Sequence, residues 1–192
     1  MVKIIEVPQE IHDVQYETKS SWNPTVDSKI LCYLSDRIDG NILEVGCNRG
    51  GTCYMFAVRN KERQVIGIDN CADSTMRPTQ QWEHPKVDEL GIEARNLLNV
   101  RIIDHNSRTF DYEDLGGVTF IFIDGDHTYE GVKADTEKAL EYLKRHYGGM
   151  IVWHDYKTDG WGVKKYVEEL AESMEIYHFA GSWIAYTRIE KE

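Results

Sequence analysis

The sequence has few basic residues relative to acidic ones, and it has no long hydrophobic run. Its 192 residues include 22 Lys and Arg against 33 Asp and Glu, which gives a net charge of −11. Without clustered cations we expect no nucleic-acid partner, because non-specific binding depends on neutralising phosphates. No apolar stretch approaches the ~18–20 residues of a membrane span, and the N-terminal residues lack a signal-peptide pattern. We therefore expect a cytoplasmic protein with no membrane partner.

Cysteine is also scarce, and its spacing excludes two kinds of scaffold. Neither CxxC nor zinc-ribbon spacing occurs among the four cysteines, which are Cys32, Cys47, Cys53 and Cys71. A chain of this length can bury a core large enough to fold without disulfides or a structural metal. We expect small buried thiols in a reducing compartment, within a single domain.

Short apolar runs alternate with longer amphipathic stretches along the chain. The predicted strands are Ile42–Val45, Val65–Ile68, Val100–Ile103, Val118–Ile123, Met150–Trp153, Glu175–Phe179 and Trp183–Arg188. Helical periodicity is found in Asp27–Arg37, Thr128–Arg145 and Val163–Ser173. This alternation predicts an α/β fold with a Rossmann-like, doubly wound parallel sheet. Only Ala180–Ser182 separates the last two strands, so they must form a hairpin and the last of the seven strands must be antiparallel.

Two segments fall outside this pattern. Residues 1–21 are polar and predict an N-terminal arm or a short capping element, which could also serve a homodimer, ahead of a catalytic domain at residues 22–192. The stretch Cys71–Lys86 predicts a long loop, which is either a functional segment or a surface excursion.

A glycine-rich segment, ILEVGCNRGGT, joins the first of these strands to a helix. Gly46 and Gly50 would let the backbone turn sharply and approach a ligand closely. The spacing is not the GxGxxG of dinucleotide binders, since Asn48 replaces a glycine, and no Lys follows as in a phosphate loop. An ordinary strand-to-helix turn remains an alternative at this point.

Polar residues also follow the next three strands. Asp69 ends the second strand and is placed to accept hydrogen bonds from ribose hydroxyls, while Asp104–Ser107 and Asp124–His127 end the third and fourth. Ligands of open α/β sheets bind at the carboxyl ends of strands, so these positions predict a nucleoside site.

The combination of motifs resembles the class I S-adenosylmethionine-dependent methyltransferases. ExGxxxGGT, the aspartate after the second strand, DGDHTYEGV and GGMIVWHDY are most similar to the metal-dependent O-methyltransferase branch, which includes catechol and macrolide-sugar O-methyltransferase-like proteins. The resemblance covers Asn41 to Arg188 and implies a seven-stranded sheet with a reversed last strand.

The resemblance implies that S-adenosylmethionine is the cofactor. Its methionine end would lie near the glycine loop, its ribose on Asp69, and its adenine near Asn106 and Ser107. The implied cofactor-binding residues are Glu44, Gly46, Asn48, Gly50, Thr52, Asp69, Asn70, Asn106, Ser107, Asp124 and Gly125.

Acidic and histidine side chains cluster after two strands that such a sheet places side by side. The cluster comprises Asp124, Asp126, His127, His154 and Asp155. Asp124 and Asp155 suit a divalent cation such as Mg²⁺, with His154 as the third candidate ligand and Asn70 as a further one. In related enzymes the pair at this position is usually acidic–acidic or acidic–amide, whereas here it is His154–Asp155. This departure leaves room for Mn²⁺ or another ion that accepts an imidazole ligand. Alternatively, both aspartates merely cap helices.

The chemistry implied by the resemblance needs a proton acceptor beside the cation. His127 is the candidate general base, together with Asp124 and Asp155 as catalytic residues, because imidazole titrates near neutral pH and related enzymes place a histidine at this DxxH position. Lys157 is an alternative base, and His127 could instead only orient the loop. Trp82 and Trp161 are candidates for a substrate wall or for buried anchors.

We therefore predict a cation-dependent O-methyltransferase that acts on a hydroxyl of a small molecule, such as a sugar, a phenol or a secondary metabolite. Two alternatives remain open at this stage. One is a cofactor-binding interaction module that has lost its chemistry. The other is an N-methyltransferase, although the fourth strand ends in IDGDH and not in the (D/N)PPY of nucleic-acid amino-methylating enzymes.

Overall fold

The computed structural model describes residues 1–20, 23–71 and 85–192, and one mixed sheet runs through them. The strands are β1 Lys3–Ile5, β2 Asn41–Val45, β3 Val65–Asp69, β4 Val100–Asp104, β5 Val118–Ile123, β6 Gly149–Trp153, β7 Tyr177–Phe179 and β8 Ala185–Ile189. Their order across the sheet is β1-β7-β8-β6-β5-β2-β3-β4. Strands β4, β3, β2, β5 and β6 pair in parallel, as the alternation of strands and helices predicts.

Helices cover both faces of this sheet. They are α1 Gln9–His12, α2 Thr25–Ser35, α3 Gly51–Arg59, α4 Tyr129–His146 and α5 Gly162–Leu170, with a short 3-10 helix at Tyr112–Leu115. Successive residues of a strand point to opposite faces. Ile121 therefore packs in a core with residues of α4 and α5, whereas Phe120 packs in a second core with residues of α2 and α3. The doubly wound α/β fold is confirmed.

The end of the chain also folds as predicted. Strand β8 pairs antiparallel with both β6 and β7, with Tyr186 opposite Val152 on one side and opposite Tyr177 on the other. The predicted strands and helices differ from the observed ones by at most three residues at either end. All four cysteines are buried, as expected. Along the described stretches, no helix has both the length and the apolar character that crossing a bilayer requires.

In the described part of the chain the sheet has eight strands and not seven, because the polar arm contributes one. Strand β1 pairs in parallel with β7, with Ile4 opposite His178. Three residues are too few to show an alternating pattern in the sequence, and only the open edge of β7 makes them a strand. Part of the segment predicted as an N-terminal arm is thus an edge strand of the same sheet.

A buried hydrogen bond fixes α4 against the end of β6. Trp153 is fully buried, and its indole Nε1 donates to the Thr136 hydroxyl at 2.8 Å. His154 and Asp155 follow Trp153 directly, so this bond helps to fix the position of both residues at the end of β6.

We predict that Thr136→Val destabilises the protein by about 1–3 kcal/mol, because it leaves a buried indole N–H without an acceptor. Urea unfolding measures this cost. In a Trp153→Phe background the same change should cost far less, since the donor is absent. Equal costs in both backgrounds would show that the hydrogen bond is not responsible.

Candidate active site

The glycine loop lies directly against the end of β5. Gly46 and Gly50 have φ values of 91° and 82°, and Asn48 has a φ of 45°. A Cβ on Gly46 would overlap the carbonyl group of Asp124. Only glycine both adopts this backbone conformation and allows the contact. The loop that follows β2 and the acidic loop that follows β5 are therefore held in contact at the point where the strand order reverses, which is the usual ligand crevice of such sheets.

Asp69 joins the end of β3 to the glycine loop. Its two carboxylate oxygens accept backbone N–H groups from Asn48 and from Asn70, each at 2.7 Å. These two bonds tie the Asp69 carboxylate to the glycine loop. The structure thus brings Asp69 to the crevice, and its ribose contact stays a prediction.

Glu44 is buried in β2 beneath the first turn of α3. Its side chain is 2% exposed and adjoins Cys53, and its Oε2 has no hydrogen-bond partner among the described residues. Burial raises the pKa of Glu44 to about 8, because a carboxylate loses its hydration there. In the same turn, Thr52 accepts a hydrogen bond from the Asn23 amide at 3.1 Å. Glu44 therefore lies behind the loop, and it carries a proton at neutral pH.

The loop after β4 places the residues predicted near an adenine against α4. Ser107 donates its hydroxyl proton to Asp135 of α4 at 2.6 Å, and the Asn106 side chain accepts the Arg108 N–H at 3.0 Å. Burial raises the pKa of Asp135 to about 6. Gly125 lies beside Asp135 and Val45, so it belongs to the same crevice.

The predicted cation ligands converge at the ends of β5 and β6. Ligand atoms of Asp124, His154 and Asp155 all lie within 4.8 Å of one another. His154 Nδ1 is 3.4 Å from Asp124 Oδ1 and 3.1 Å from Asp155 Oδ2. Neighbouring ligands held at about 2.0–2.2 Å from one ion lie about 3 Å apart, so this spacing suits a cation. Asp155 has a φ of 59°, a strained conformation that directs its carboxylate into the cluster.

His127 approaches the same two carboxylate oxygens as His154 does. Its Nε2 is 3.1 Å from Asp155 Oδ2 and 3.5 Å from Asp124 Oδ1. The Trp161 ring stacks on the imidazole with centroids 4.3 Å apart and planes 11° apart. The backbone N–H of Gly162 also donates to the His127 carbonyl at 2.8 Å. Trp161 thus anchors the candidate base, which is a different role from a free substrate wall.

The electrostatics of the cluster depend on the carboxylates of Asp124 and Asp155 and on two imidazoles. Burial alone would lower the pKa of His127, but the facing carboxylates of Asp124 and Asp155 raise it to about 9. Burial likewise opposes the charge on His154, and Asp124 holds its pKa well above the usual range. The two imidazoles in turn lower the pKa of Asp124 despite its burial. Positive charge between these carboxylates is therefore favoured.

Two predicted residues do not join the cluster. Asp126 turns away, because its carboxylate pairs with Arg108 and accepts the Thr128 N–H at 2.9 Å. Asp126 therefore lies near the predicted ligands in the sequence, but its carboxylate makes contacts outside the cluster. Lys157 is exposed, and among the described residues no ion pair joins it to the cluster. Trp82 falls at residues 72–84, outside the described residues, as does most of the predicted long loop.

Asp27 belongs to the cluster, although the sequence reasoning did not select it. It lies in the first turn of α2, is 0% exposed, and places Oδ2 at 3.3 Å from His154 Nε2. A signal was present in the sequence. Asp27 precedes Ile30, Leu31 and Leu34 at helical spacing, so it occupies the core-facing side of α2. A carboxylate at such a position is rare unless it has a partner.

We predict that Glu44 makes stability depend on pH. Because its pKa is raised from 4.5 to about 8 in the folded state, its contribution is complete below about pH 4.5 and is lost as the pH rises through about 8. Glu44→Gln should remove up to about 1.4 kcal/mol per pH unit from the slope of unfolding free energy between these limits. Urea unfolding at pH 6, 7 and 8 measures the slope. The exposed Glu62→Gln variant is the control, and a Glu44→Gln slope equal to that of the wild type would contradict the assignment.

Comparison with solved structures shows the same fold at low sequence identity. A calicheamicin methyltransferase, CalS11, superposes with a TM-score of 0.60 at 15% identity, covering 85% of this chain and 77% of that one. A caffeoyl-CoA O-methyltransferase candidate from Staphylococcus aureus gives 0.63 at 17% identity, covering 94% and 88%. The cofactor-bound protein Rv0187 from MTB gives 0.62 at 15% identity, covering 92% and 85%.

Comparison with curated proteins and family models adds a relative and a family. The uncharacterized protein R132 of Acanthamoeba polyphaga mimivirus is 26% identical over 128 residues. That alignment covers 66% of this chain, and this chain spans 56% of the length of R132. A family model described as a methyltransferase domain matches residues 43–156, which is more than half of the chain and runs from β2 to the residue after Asp155. The chain therefore belongs to the methyltransferase domain family, as its motifs indicate.

Proposed function

We propose that this protein transfers a methyl group from S-adenosylmethionine to a hydroxyl oxygen of a small molecule, with a divalent cation bound by Asp124, His154 and Asp155. One observation carries the proposal. The glycine loop is in van der Waals contact with the same β5 loop that supplies Asp124. A donor on the glycine loop and an acceptor on the carboxylates would thus be neighbours, and in-line transfer between two groups requires that they be held close and aligned.

The side chains of the cluster carry oxygen and nitrogen atoms of the kind that bind divalent cations. Two carboxylates and one imidazole converge, and His154 and Asp155 are 5% and 4% exposed. The Nε2 atoms of both His127 and His154 are buried, and neither has a hydrogen-bond partner among the described residues. A bound cation lowers the pKa of a hydroxyl that coordinates to it. Asp124 and Asp155 would supply negatively charged oxygens, and His154 would supply a nitrogen.

His127 is suited to accept the proton that the substrate hydroxyl gives up. Its imidazole faces the carboxylates at 3.1–3.5 Å, and Trp161 fixes the plane of the ring. Accepting a proton requires a neutral imidazole. The carboxylates that raise its pKa must therefore be paired with other positive charge when substrate is bound, which agrees with a cation centre beside His127.

The substrate side of the site is formed by a small number of elements. The segment between Asp155 and α5, which carries Trp161, begins beside the cluster. Its polar side chains, such as those of Lys157 and Thr158, suit a hydroxylated organic molecule such as a sugar or a phenol.

We predict that calorimetry detects S-adenosylhomocysteine binding and no comparable binding of NAD, since the glycine loop lacks GxGxxG. Asp69→Asn should lower the affinity for S-adenosylhomocysteine by about 10–100-fold, because a hydrogen bond to a charged acceptor contributes about 1.5–3 kcal/mol. Asp39→Asn, an exposed change of the same type, should leave affinity unchanged. Tight NAD binding without S-adenosylhomocysteine binding would overturn the proposed function.

We predict that methyl transfer to hydroxylated small molecules is abolished by EDTA and restored by added divalent cation. Radiolabelled S-adenosylmethionine and a panel of sugars and phenols provide the assay. Asp155→Asn should lose the cation response but keep S-adenosylhomocysteine affinity, and His127→Ala should slow turnover by about 10²–10⁴-fold. Asp126→Asn is the matched control, because its carboxylate faces Arg108. Turnover that is insensitive to EDTA would refute the cation role, and a loss below tenfold would reduce His127 to a structural role.

A further inference from the structure

Asp27 is a buried carboxylate that has no role in the proposed methyl transfer. It belongs to α2, more than 95 residues before the rest of the cluster, and its side chain is fully buried. A buried carboxylate is costly to keep unless it is paired or hydrogen-bonded. Its Oδ1 accepts the backbone N–H of Trp183 at 3.1 Å, which anchors one half of the carboxylate.

The other half of the carboxylate faces an imidazole. Oδ2 lies 3.3 Å from His154 Nε2, and within the described chain neither atom has a well-aimed hydrogen bond. Within the described residues, Asp27 forms its ion pair with His154. Both side chains are at least nine-tenths buried, so water cannot readily replace this contact.

The opposite edge of the His154 ring points into the cation site. Nδ1 faces Asp124 Oδ1 and Asp155 Oδ2, while Nε2 faces Asp27. A histidine that binds a metal through one nitrogen almost always donates its other ring N–H to a carboxylate or carbonyl, which fixes the tautomer and the ring orientation. Asp27 is in the position of that acceptor.

We propose that Asp27 is a positioning residue that holds His154 as a nitrogen ligand, so that the centre selects a first-row transition-metal ion over Mg²⁺. The inference rests on the cation centre of the proposed function. Mg²⁺ takes oxygen ligands almost without exception, whereas an imidazole in the ligand set favours transition metals. With an oxygen in place of His154 Nδ1, the same pocket would lose this preference.

The test measures metal binding directly and does not depend on turnover. Mn²⁺ binding is followed by electron paramagnetic resonance, Mg²⁺ by competition, and the coordinated nitrogen by the ¹⁴N modulation of the Mn²⁺ spin echo. The wild type should bind Mn²⁺ at least tenfold more tightly than Mg²⁺ and should show a nitrogen ligand. Asp27→Asn should lower the affinity for Mn²⁺ by about 10–100-fold, the usual effect of removing such a supporting carboxylate. It should lower the affinity for Mg²⁺ much less.

Two further variants separate positioning from folding. His154→Asn offers an oxygen in place of Nδ1, so it should lose the ¹⁴N signal and the Mn²⁺ preference. In that background Asp27→Asn should have no further effect on the Mn²⁺ to Mg²⁺ ratio. Asp36→Asn changes a carboxylate at the other end of α2 that pairs with Arg59, and it should bind both ions as the wild type does.

The outcomes distinguish this inference from the proposed function. Equal Mn²⁺ affinity in the wild type and Asp27→Asn would overturn the role of Asp27 and leave the cation centre intact. Equal affinity of the wild type for Mn²⁺ and Mg²⁺, or a spin echo without nitrogen, would overturn the selectivity. Failure of the wild type to bind either ion would overturn the cation centre itself. Unchanged S-adenosylhomocysteine affinity in Asp27→Asn shows that the fold of the variant is intact.

Discussion

Three carboxylates and two imidazoles share one buried volume at the carboxyl ends of β5 and β6. Burying a charge is costly unless opposite charge or hydrogen bonds compensate for it. Here the imidazoles of His127 and His154 compensate for the carboxylates of Asp27, Asp124 and Asp155 at 3.1–3.5 Å. The surrounding fold keeps these groups together. They come from three separate parts of the chain, which are α2, the loop after β5 and the end of β6. A shift of any one of these parts would leave a buried charge without its partner.

Rigid contacts outside the cluster meet this requirement. The buried Trp153–Thr136 hydrogen bond fixes the end of β6 on α4, and the Trp183 N–H anchors Asp27. On the other side, Trp161 stacks on His127 at the start of α5. Elements from both faces of the sheet therefore hold one site. Placing functional side chains on strand ends and helix ends, with a second layer of contacts behind them, gives the precision that chemistry requires.

The topology of the sheet explains why a donor site and an acceptor site can be neighbours. Strands β2 and β5 are adjacent although the chain places β3 and β4 between them. The loops after β2 and β5 consequently meet, and Gly46 is the residue that allows the contact. The family to which the chain belongs uses a methyl donor. The cluster of carboxylates and imidazoles lies beside the glycine loop, which would hold that donor. A cation and a substrate hydroxyl bound at the cluster would therefore be close to the methyl group.

Much of the fold and part of the site could be predicted from the sequence. Periodicity is local, and it predicted the seven central and C-terminal strands, the helices that flank them and the antiparallel end. Strand ends marked by Asp124 and Asp155 were also visible, because polar residues directly after apolar runs are a local signal. The edge strand β1 was missed because three residues carry no period. The direction of the Asp126 side chain could not be predicted, because spacing alone does not show which way a loop directs a carboxylate.

The sequence by itself determined the order of strands and helices, the glycine turn and the presence of acidic and histidine side chains at strand ends. These properties depend on the backbone preferences and hydrophobicity of neighbouring residues. Only the tertiary structure decided that Asp27 meets His154, that Trp161 stacks on His127, and that Asp126 turns away. Such contacts join residues distant along the chain, and their geometry follows from how helices pack on the sheet. The acidic and histidine side chains at the strand ends were therefore evident from the sequence, and packing decided how they come together in one cluster.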